Sequence, residues 1–598
     1  MEVKRPIDYS IPRKKDCARY KMHKYWAGKP WYVVSEYIRH FTKEGGIVLD
    51  PFCGSGVVGC ESLINNRKVI LNDLNPMAVF ISKNTCCSPV DLRAFLEEFE
   101  GIKDRIGEEI MTMYELEQLC PICGQRLYAK HIVRGPSQNG DWIVEARCRN
   151  SHGSKGKFRR YLTQREKQNI INIEKRDIPY WFPKDEFCDG KEIMRLKKAG
   201  INYVYQLFTR RNLLALSMIA HEINKIHDKT SRQLMLLAFS NTLLHASKLK
   251  SEDLRPMSAN SYYCMDNWIE ENVWMRFENR VKWRWGVLEG KRETNSLIKD
   301  KFRLVDDFEG LKKCGSFMLL NRPAQNLEII PDESIDYSFT DPPYGGSIQY
   351  FELTFLWRAW LKMQYDNIKS EVTINDFQGK DQQTFEDMLT KAFCEINRVL
   401  KPGRWLSVTF NNRDQRIWTA LLRSCKTAGF DKVNIVPQKP VTSSFVQSWT
   451  AKSLKSDLIL NFKKPYSKSF SVNASDILKN NLVSSANVNV NVNVNEGIDR
   501  LDAKDIIVSS AKQYLSKNKK ATLAELFEQA IIKWIDVLYG NLSLEDRTNG
   551  RRLQELEQDE KLAFDMEVVD SCLSCKSFIS RKMFEGKIYY YLKENDIT

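Results

Sequence analysis

The sequence predicts an α/β fold built on a parallel sheet. Near the N terminus, helical and strand patterns alternate along the chain. The predicted elements are a helix at 30–41, a strand at 46–50, a helix at 56–65 and a strand at 68–73. Because a helix connects each strand to the next, the strands are expected to pair in parallel.

The same pattern resumes after a long interruption. The later predicted elements are strands at 334–340, 405–410, 433–436 and 457–462, and helices at 385–400 and 413–428. The gap between residues 56 and 341 is too long for one crossover connection. A separate insertion must therefore occupy it.

The insertion has two parts that differ in composition. Residues 115–165 are rich in Cys, Gly and Lys/Arg, whereas residues 200–300 show helical spacing and many Trp and Tyr residues. After residue 462 the composition shifts to Ser, Asn and Lys. Residues 487–495 alternate Asn and Val, which indicates a low-complexity linker or a strand. From residue 499 the chain reads as a small mixed domain, with a helix at 521–538.

Composition limits the classes of protein to which this chain can belong. The chain of 598 residues is 42% apolar, enough for several cores, and has no apolar run long enough for a membrane span. The start lacks a secretory pattern and the 15 cysteines are too sparse for a disulfide scaffold, so we expect a cytoplasmic protein. A net charge of +15 suits a polyanionic partner, although such an excess also occurs on ordinary proteins.

A glycine pair follows the first strand. In the segment Asp50 to Gly56, Gly54 and Gly56 allow a tight turn, and Phe52 is expected to pack beneath it. Main-chain N–H groups at the following helix start can then approach a bound cofactor. Asp73 ends the next strand, where an acidic side chain can accept hydrogen bonds from ribose hydroxyls or can simply cap a turn.

A second motif, Asp341-Pro342-Pro343-Tyr344, follows another apolar strand. Alone it is consistent with an ordinary strand-ending turn. Combined with the glycine turn, it resembles the motifs of the amino-methyltransferases, which methylate an exocyclic amine of adenine or cytosine in DNA with S-adenosylmethionine. The resemblance implies that the cofactor-binding residues are Lys29, Pro30, Asp50, Phe52, Gly54, Gly56, Asp73 and Asn75.

The same resemblance implies roles for the second motif. Asp341 and the carbonyl of Pro342 would accept the two N–H groups of the target amine and concentrate electron density on its nitrogen. The prolines, Pro342 and Pro343, would stiffen the loop. Tyr344 would stack on a base that has left the duplex.

Several alternatives stay open. Ring-carbon methylation is disfavoured because no Pro-Cys step occurs, and protein glutamine methyltransferases carry Asn in place of Asp341. Asp at this position is more usual for adenine N6, and cytosine N4 is the runner-up. A noncatalytic DNA-binding scaffold would not need Asp341, Tyr344 and Asp73, and RNA remains a third possible substrate.

Four residues have metal-ligand spacing: Cys120, Cys123, Cys148 and His152. Two knuckles separated by 24 residues are typical of a zinc ribbon, and a Cys₃His set with no open position would be structural. Isolated buried thiols are the alternative. The flanking basic residues suit phosphate contacts or a solvated surface; they are Lys155, Lys157, Arg159, Arg160, Arg165 and Lys167. Cys572 and Cys575 have no partner pair nearby.

With the ribbon between its motifs, the chain resembles the prokaryotic adenine-specific DNA methylases that contain a zinc ribbon. Further matching segments are Tyr205 to Thr209, Asn272 to Trp274, Tyr350 to Thr354 and Leu400 to Gly403. This resemblance implies a Rossmann-like methyltransferase sheet, S-adenosylmethionine and structural zinc as cofactors, double-stranded DNA as substrate, and possible restriction or defence partners. Gly345-Gly346 and His152 depart from the family pattern.

The resulting domain prediction has six parts. Residues 1–110 and 316–465 form the two halves of the methyltransferase core, which carry the cofactor motif and the catalytic motif respectively. The intervening and following segments are a zinc ribbon at 111–170, a helical insertion for target recognition at 171–315, a linker at 466–498 and a C-terminal domain at 499–598.

Overall fold

A computed structural model describes residues 3–134, 141–150, 152, 157–258, 260–299, 301–365, 367–412, 414–438, 456–466, 503–518, 520–541, 573, 579–584 and 587–592. The chain divides into two units. The first unit contains Lys14–Pro323 and Gly346–Asp381, and the second contains Met1–Arg13, Ala324–Gly345 and Gln382–Thr598. The segment 487–495 and Cys572 and Cys575 lie outside the described residues.

Four described strands of the first unit pair in parallel. They are β1 (Ile47–Asp50), β2 (Lys68–Asn72), β8 (Leu304–Val305) and β9 (Phe317–Leu320), in the order β1-β2-β9-β8. All four residues of β1 are buried, which explains its uninterrupted apolar sequence. The predicted parallel pairing of the first two strands is confirmed, whereas β8 and β9 were not predicted.

An antiparallel sheet occupies part of the insertion. Its strands are β3 (Glu115–Leu119), β4 (Arg126–Val133), β5 (Ile143–Cys148) and β6 (Lys157–Tyr161), in that order, and β7 (Ile269–Glu271) pairs with β4. Along β5, buried and half-buried residues alternate, as expected for a sheet with one covered face.

Helices form most of the regular secondary structure of the first unit. They are α1 (Trp31–Phe41), α2 (Val57–Ile64), α3 (Pro76–Cys86), α4 (Leu92–Ile102), α5 (Glu108–Thr112), α6 (Gln164–Glu174), α7 (Met194–Lys198), α8 (Arg210–Asn224), α9 (Lys229–Ala246), α10 (Val273–Lys282), α11 (Val287–Ile298), α12 (Phe308–Lys313), α13 (Tyr350–Leu353) and α14 (Phe355–Leu361). Residues 237–244 of α9 are all buried. A helix that is buried around its whole circumference lies inside the core, and α9 packs against α8, α10 and α4.

The described residues of the second unit form a mixed sheet, a small sheet and four helices. Its strands β10 (Ile335–Thr340), β11 (Leu400–Phe410), β12 (Asp431–Gln438) and β13 (Asp457–Lys463) have the order β12-β13-β11-β10, with only β10 and β11 parallel. The helices are α15 (Gln382–Val399), α16 (Gln415–Thr427), α17 (Ala503–Asn518) and α18 (Leu523–Asn541). A small sheet has the order β14 (Ala521–Thr522), β16 (Lys587–Leu592), β15 (Ile579–Phe584).

Both ends of the second unit attach to its mixed sheet. The side-chain amide of Gln438 on β12 accepts from the N–H of Ile11 at 2.8 Å and donates to its carbonyl at 2.9 Å. On α18, the hydroxyl of Tyr539 donates to the carbonyl of Phe430, and the carbonyl of Tyr539 accepts from Lys426 at 2.8 Å. The helix predicted in the C-terminal region is confirmed, and it packs on α16.

The described part of the chain contains no helix with the length and apolar character needed to cross a membrane.

Candidate cofactor, catalytic and metal sites

The turn after β1 requires glycine at two positions. Gly54 has φ of 49° and Gly56 has φ of 80°, both in the left-handed region that favours glycine. A Cβ atom added at Gly56 would lie 2.8 Å from the Cα of Ser82, closer than packed atoms approach. The turn therefore lies directly against α3 and leads into the N terminus of α2.

Asp73 lies beside this turn, as the sequence predicted. Its carboxylate accepts the N–H of Gly54 at 3.0 Å and the N–H of Asn75 at 2.9 Å. Burial raises the pKa of Asp73 to about 6, although both N–H groups oppose that shift. A carboxylate held in this position by main-chain donors can accept hydrogen bonds from a ribose diol.

The other predicted cofactor residues lie around the same strand ends. Asp50 is buried and accepts the N–H of Phe52 at 3.2 Å, and Phe52 is half-buried. Asn75 accepts the N–H of Met77 and thereby caps α3. Lys29 and Pro30 are half-buried at the start of α1, where Pro30 occupies the cap position.

Two aromatic residues outside the predicted cofactor set border the turn. A Cβ at Gly54 would lie 3.2 Å from the ring of Tyr25, which stacks on Tyr350 with centroids 5.7 Å apart. Tyr25 belongs to the segment that ends in Lys29-Pro30, so an aromatic residue near that step was an available signal. The two rings give the site an apolar wall suited to a planar ring or an aliphatic chain.

A second buried carboxyl group lies near Asp73. Glu371 accepts the N–H of Phe351 at 3.0 Å and the side-chain amide of Gln378 at 2.9 Å. Burial raises the pKa of Glu371, and its charge contributes to raising the pKa of Asp73. The first unit therefore places two acidic groups near one glycine turn, an environment that favours a cationic or hydrogen-bond-donating ligand.

The second motif forms a turn at the end of β10 in the second unit. Asp341 Oδ1 accepts the hydroxyl of Tyr344 at 2.5 Å and the hydroxyl of Thr409 at 3.1 Å. Pro342 is buried, whereas Asp341, Pro343 and Tyr344 are half-buried. The predicted acid and the predicted aromatic residue are thus in direct contact.

Residues at the end of β11 and just after it complete this turn. Asn412 donates from its side chain to the carbonyl of Tyr344 at 3.2 Å, and the ring of Phe410 meets that of Tyr344 edge to face at 4.9 Å. Thr409, Phe410 and Asn412 were not predicted. Because β10 and β11 are parallel, their carboxyl ends meet at the same edge of the sheet. Parallel pairing could therefore have predicted that residues at the end of β11 lie beside Asp341.

The four predicted metal ligands converge in the first unit. One ligand atom from each of Cys120, Cys123, Cys148 and His152 lies within 4.8 Å of all the others. The Sγ of Cys123 is 3.5 Å from the Sγ of Cys148 and 3.2 Å from the Nε2 of His152. Zinc–ligand bonds of about 2.0–2.3 Å in a tetrahedron place ligand atoms about 3.3–3.8 Å apart, so the donor set fits zinc.

The basic residues beside this cluster are mostly neutralised within the protein. Salt bridges join Arg159 to Glu252, Arg160 to Glu166, Arg165 to Glu117 and Lys167 to Asp141. Such pairing reduces the charge available to a phosphate backbone. Lys157 has no acidic partner among the described residues, and Lys155 lies outside them.

Comparison with known protein families bears on the first part of the chain. A family model described as DNA methylase, for enzymes of the N-4/N-6 type, matches residues 8–84. The match supports a DNA methyltransferase. The matched segment includes Lys29, Gly54, Gly56 and Asp73. No curated protein matches the chain.

Proposed function

We propose that this protein transfers a methyl group from S-adenosylmethionine to the exocyclic N6 amine of adenine in double-stranded DNA. The observation that carries the proposal is the orientation of Asp341 by two hydroxyl groups at the end of a parallel strand. The family match at residues 8–84 supports the general activity. The preference for adenine over cytosine rests on the Asp-Pro-Pro-Tyr resemblance.

On the cofactor side, this chain would bind and orient S-adenosylmethionine. Bound S-adenosylmethionine supplies an electrophilic methyl carbon on a sulfonium. Asp73 would accept the ribose hydroxyls, Gly54 and Gly56 would let the backbone approach, and Tyr25 would cover an apolar part. The raised pKa of Asp73 makes its ionised form sensitive to mildly acidic pH.

On the base side, Asp341 would accept one N–H of the target amine and the carbonyl of Pro342 the other. These acceptors make the nitrogen lone pair available to the methyl carbon. With S-adenosylmethionine as the methyl donor and its sulfur as the leaving group, the proton lost from the amine would pass to Asp341 or to water. Tyr344 would stack on the flipped base while its hydroxyl keeps Asp341 in place.

The Cys₃His cluster would hold one structural zinc ion. Its four protein ligands leave no position for a substrate. We expect the purified protein to contain about one zinc per chain and Cys148→Ser to lose it. The control Cys314→Ser alters an exposed cysteine outside the cluster and should retain the metal. Retention of zinc by Cys148→Ser would contradict the assignment.

The deciding experiment incubates the protein with S-adenosylmethionine and unmethylated genomic DNA and measures modified nucleosides by mass spectrometry. N6-methyladenine that is absent with Asp341→Ala would support the proposal. Detection of N4-methylcytosine instead would identify the N4 amine of cytosine as the target. Calorimetry of cofactor binding separates the remaining outcomes: binding without a methylated DNA nucleoside would direct the same assay to RNA, and absence of binding would indicate a noncatalytic scaffold.

A further inference from the structure

A cavity of about 600 Å³ lies in the first unit, between the start of α8 and the segment after α9. None of the proposed cofactor, catalytic or metal residues lines it. Its volume falls within the range of about 300–1,000 Å³ that is usual for small-molecule sites. The residues that give it chemical character are Tyr205, Gln206, Arg210, Lys248, Asp266 and Trp268.

The central cation of this cavity is Lys248. The main chain holds it in place, because its N–H donates to the carbonyl of Leu207 at 2.8 Å. Its amine lies 5.7 Å from the centroid of the Trp268 ring. Among the described residues the amine makes no hydrogen bond or salt bridge, although Glu174 and Glu270 act on it electrostatically. Burial lowers the pKa of Lys248, so an anion beside it would be favoured.

A second positive group lines the cavity at the N terminus of α8. Arg210 is the first residue of that helix; its Nε donates to the carbonyl of Arg176, and no other hydrogen bond of its guanidinium is found among the described residues. The helix dipole adds positive potential at the same end. Two cations with unused donors are suited to a phosphate group.

The remaining lining residues are suited to a nucleobase. Tyr205 and Trp268 are half-buried aromatic residues, and neither the Tyr205 hydroxyl nor the Trp268 indole N–H has a partner among the described residues. Asp266 is exposed and can accept a hydrogen bond from an exocyclic amine. Its negative charge also disfavours an anion beside it, so the phosphate is expected at the cations and not at Asp266.

We propose that this cavity binds one unpaired nucleotide, with its phosphate at Lys248 and Arg210 and its base against Tyr205 and Trp268. The nucleotide can come from two sources. It can be an extrahelical nucleotide of the DNA, and this alternative rests on the proposed function. It can also be a free nucleoside monophosphate, and this alternative is independent of the proposed function.

The test measures binding without methyl transfer. Fluorescence anisotropy compares the full chain on a fully paired duplex and on the same duplex with a one-nucleotide bulge, and equilibrium dialysis measures adenosine monophosphate. Base stacking is worth about 1–3 kcal/mol, so we expect the bulged duplex to bind about tenfold more tightly. Lys248→Met should abolish that preference, whereas Lys248→Arg should retain part of it.

The matched control is Lys229→Met, which removes the same charge from an exposed position at the start of α9. Adenosine monophosphate that binds in a Lys248-dependent way, without a bulge preference, would identify the free nucleotide as the ligand. Equal losses in Lys248→Met and Lys229→Met, or no binding of either probe beyond the paired duplex, would overturn the proposal. Asp341→Ala should keep the bulge preference. Failure of the proposed methyl transfer is therefore distinguishable from failure of nucleotide binding in this cavity.

Discussion

Asp73 and Asp341 each follow the last residue of a parallel strand, but different groups hold them. The carboxylate of Asp73 accepts main-chain N–H groups from Gly54 and Asn75, so the backbone turn itself fixes its position. Asp341 is oriented by the side-chain hydroxyls of Tyr344 and Thr409. The carboxylate of Asp73, the proposed cofactor ligand, therefore depends on backbone geometry. The carboxylate of Asp341, the proposed catalytic group, can be adjusted by single side-chain substitutions.

The largest expected effect follows removal of the carboxylate of Asp341, the proposed catalytic group. We expect Asp341→Ala to reduce kcat by about a thousandfold, because it deletes the acceptor that would stabilise the developing charge. Calorimetric affinity for S-adenosylmethionine should stay within about twofold, since Asp341 belongs to the second unit and the cofactor turn to the first. A parallel loss of cofactor affinity would contradict this separation of roles.

The backbone dependence of the cofactor turn is tested by Gly56→Ala. The added Cβ would meet the Cα of Ser82 at 2.8 Å, and φ of 80° is unfavourable for alanine. We expect a loss of stability of about 3 kcal/mol, measured as a lowered Tm, together with weaker cofactor binding.

Gly45→Ala is the matched control for that variant. Gly45 has a similar φ of 75°, but nothing lies within 4 Å of the added Cβ. Only the backbone penalty of about 1 kcal/mol applies there, so its Tm should fall less. Equal Tm losses in the two variants would show that contact with α3 is unimportant.

The side-chain dependence of the catalytic turn is tested by Tyr344→Phe and Thr409→Val. Each removes one hydroxyl from Asp341 and keeps most of the side-chain volume. A hydrogen bond to a charged group is worth about 1.5–3 kcal/mol, so we expect kcat to fall by about thirtyfold in each variant. Unchanged kcat in both, measured with saturating DNA and cofactor, would show that Asp341 does not need these donors.

The smallest effect concerns pH. In the proposed site Asp73 would accept ribose hydroxyls as a carboxylate, and its pKa is raised to about 6. Affinity for S-adenosylhomocysteine, measured by calorimetry, should therefore fall about tenfold between pH 7.5 and pH 5. Asp73→Asn should bind more weakly at pH 7.5 and lose this pH dependence, whereas a dependence that persists in the variant would come from another group.

The same pKa shift makes the stability of the folded protein depend on pH. Because the folded-state pKa lies above the ordinary value of 3.8, the protonated form is favoured in the folded protein. The favourable contribution is complete below pH 3.8 and is lost as the pH rises through about 6. Bound ligand hydroxyls would offset this cost above pH 6, since they donate to the ionised form.

Much of the fold was predictable because its elements carry strong local patterns. The predicted strand at 68–73 and helix at 30–41 agree with β2 and α1 to within one residue at each end. The strand predicted at 405–410 starts earlier, at Leu400. Lys401-Pro402-Gly403 reads as a turn, but Gly403, with φ of 72°, lies where the pairing of β11 with β10 shifts register, so the strand continues through a bulge.

The candidate sites were less predictable wherever they depend on neighbouring strands. Gly54 and Asp73 belong to recognisable segments, and the structure brings them into contact, while their roles in binding remain predictions. Thr409 lies in an ordinary apolar strand, and only the parallel register of β10 and β11 places it beside Asp341. Three of the basic residues near the metal cluster looked available for phosphates because their carboxylate partners are distant in sequence; they are Arg159, Arg165 and Lys167.

The attachment of the N-terminal segment to β12 has a kinetic consequence. Ile7 and Ile11 are buried, and Ile11 bonds with Gln438, which is 427 positions later in the chain. At a synthesis rate of about 5–20 residues per second, the ribosome needs roughly 20–85 seconds to produce that partner. During this interval the apolar segment has no native β12 partner, so a nascent chain stalled before residue 438 should interact with chaperones through its first residues.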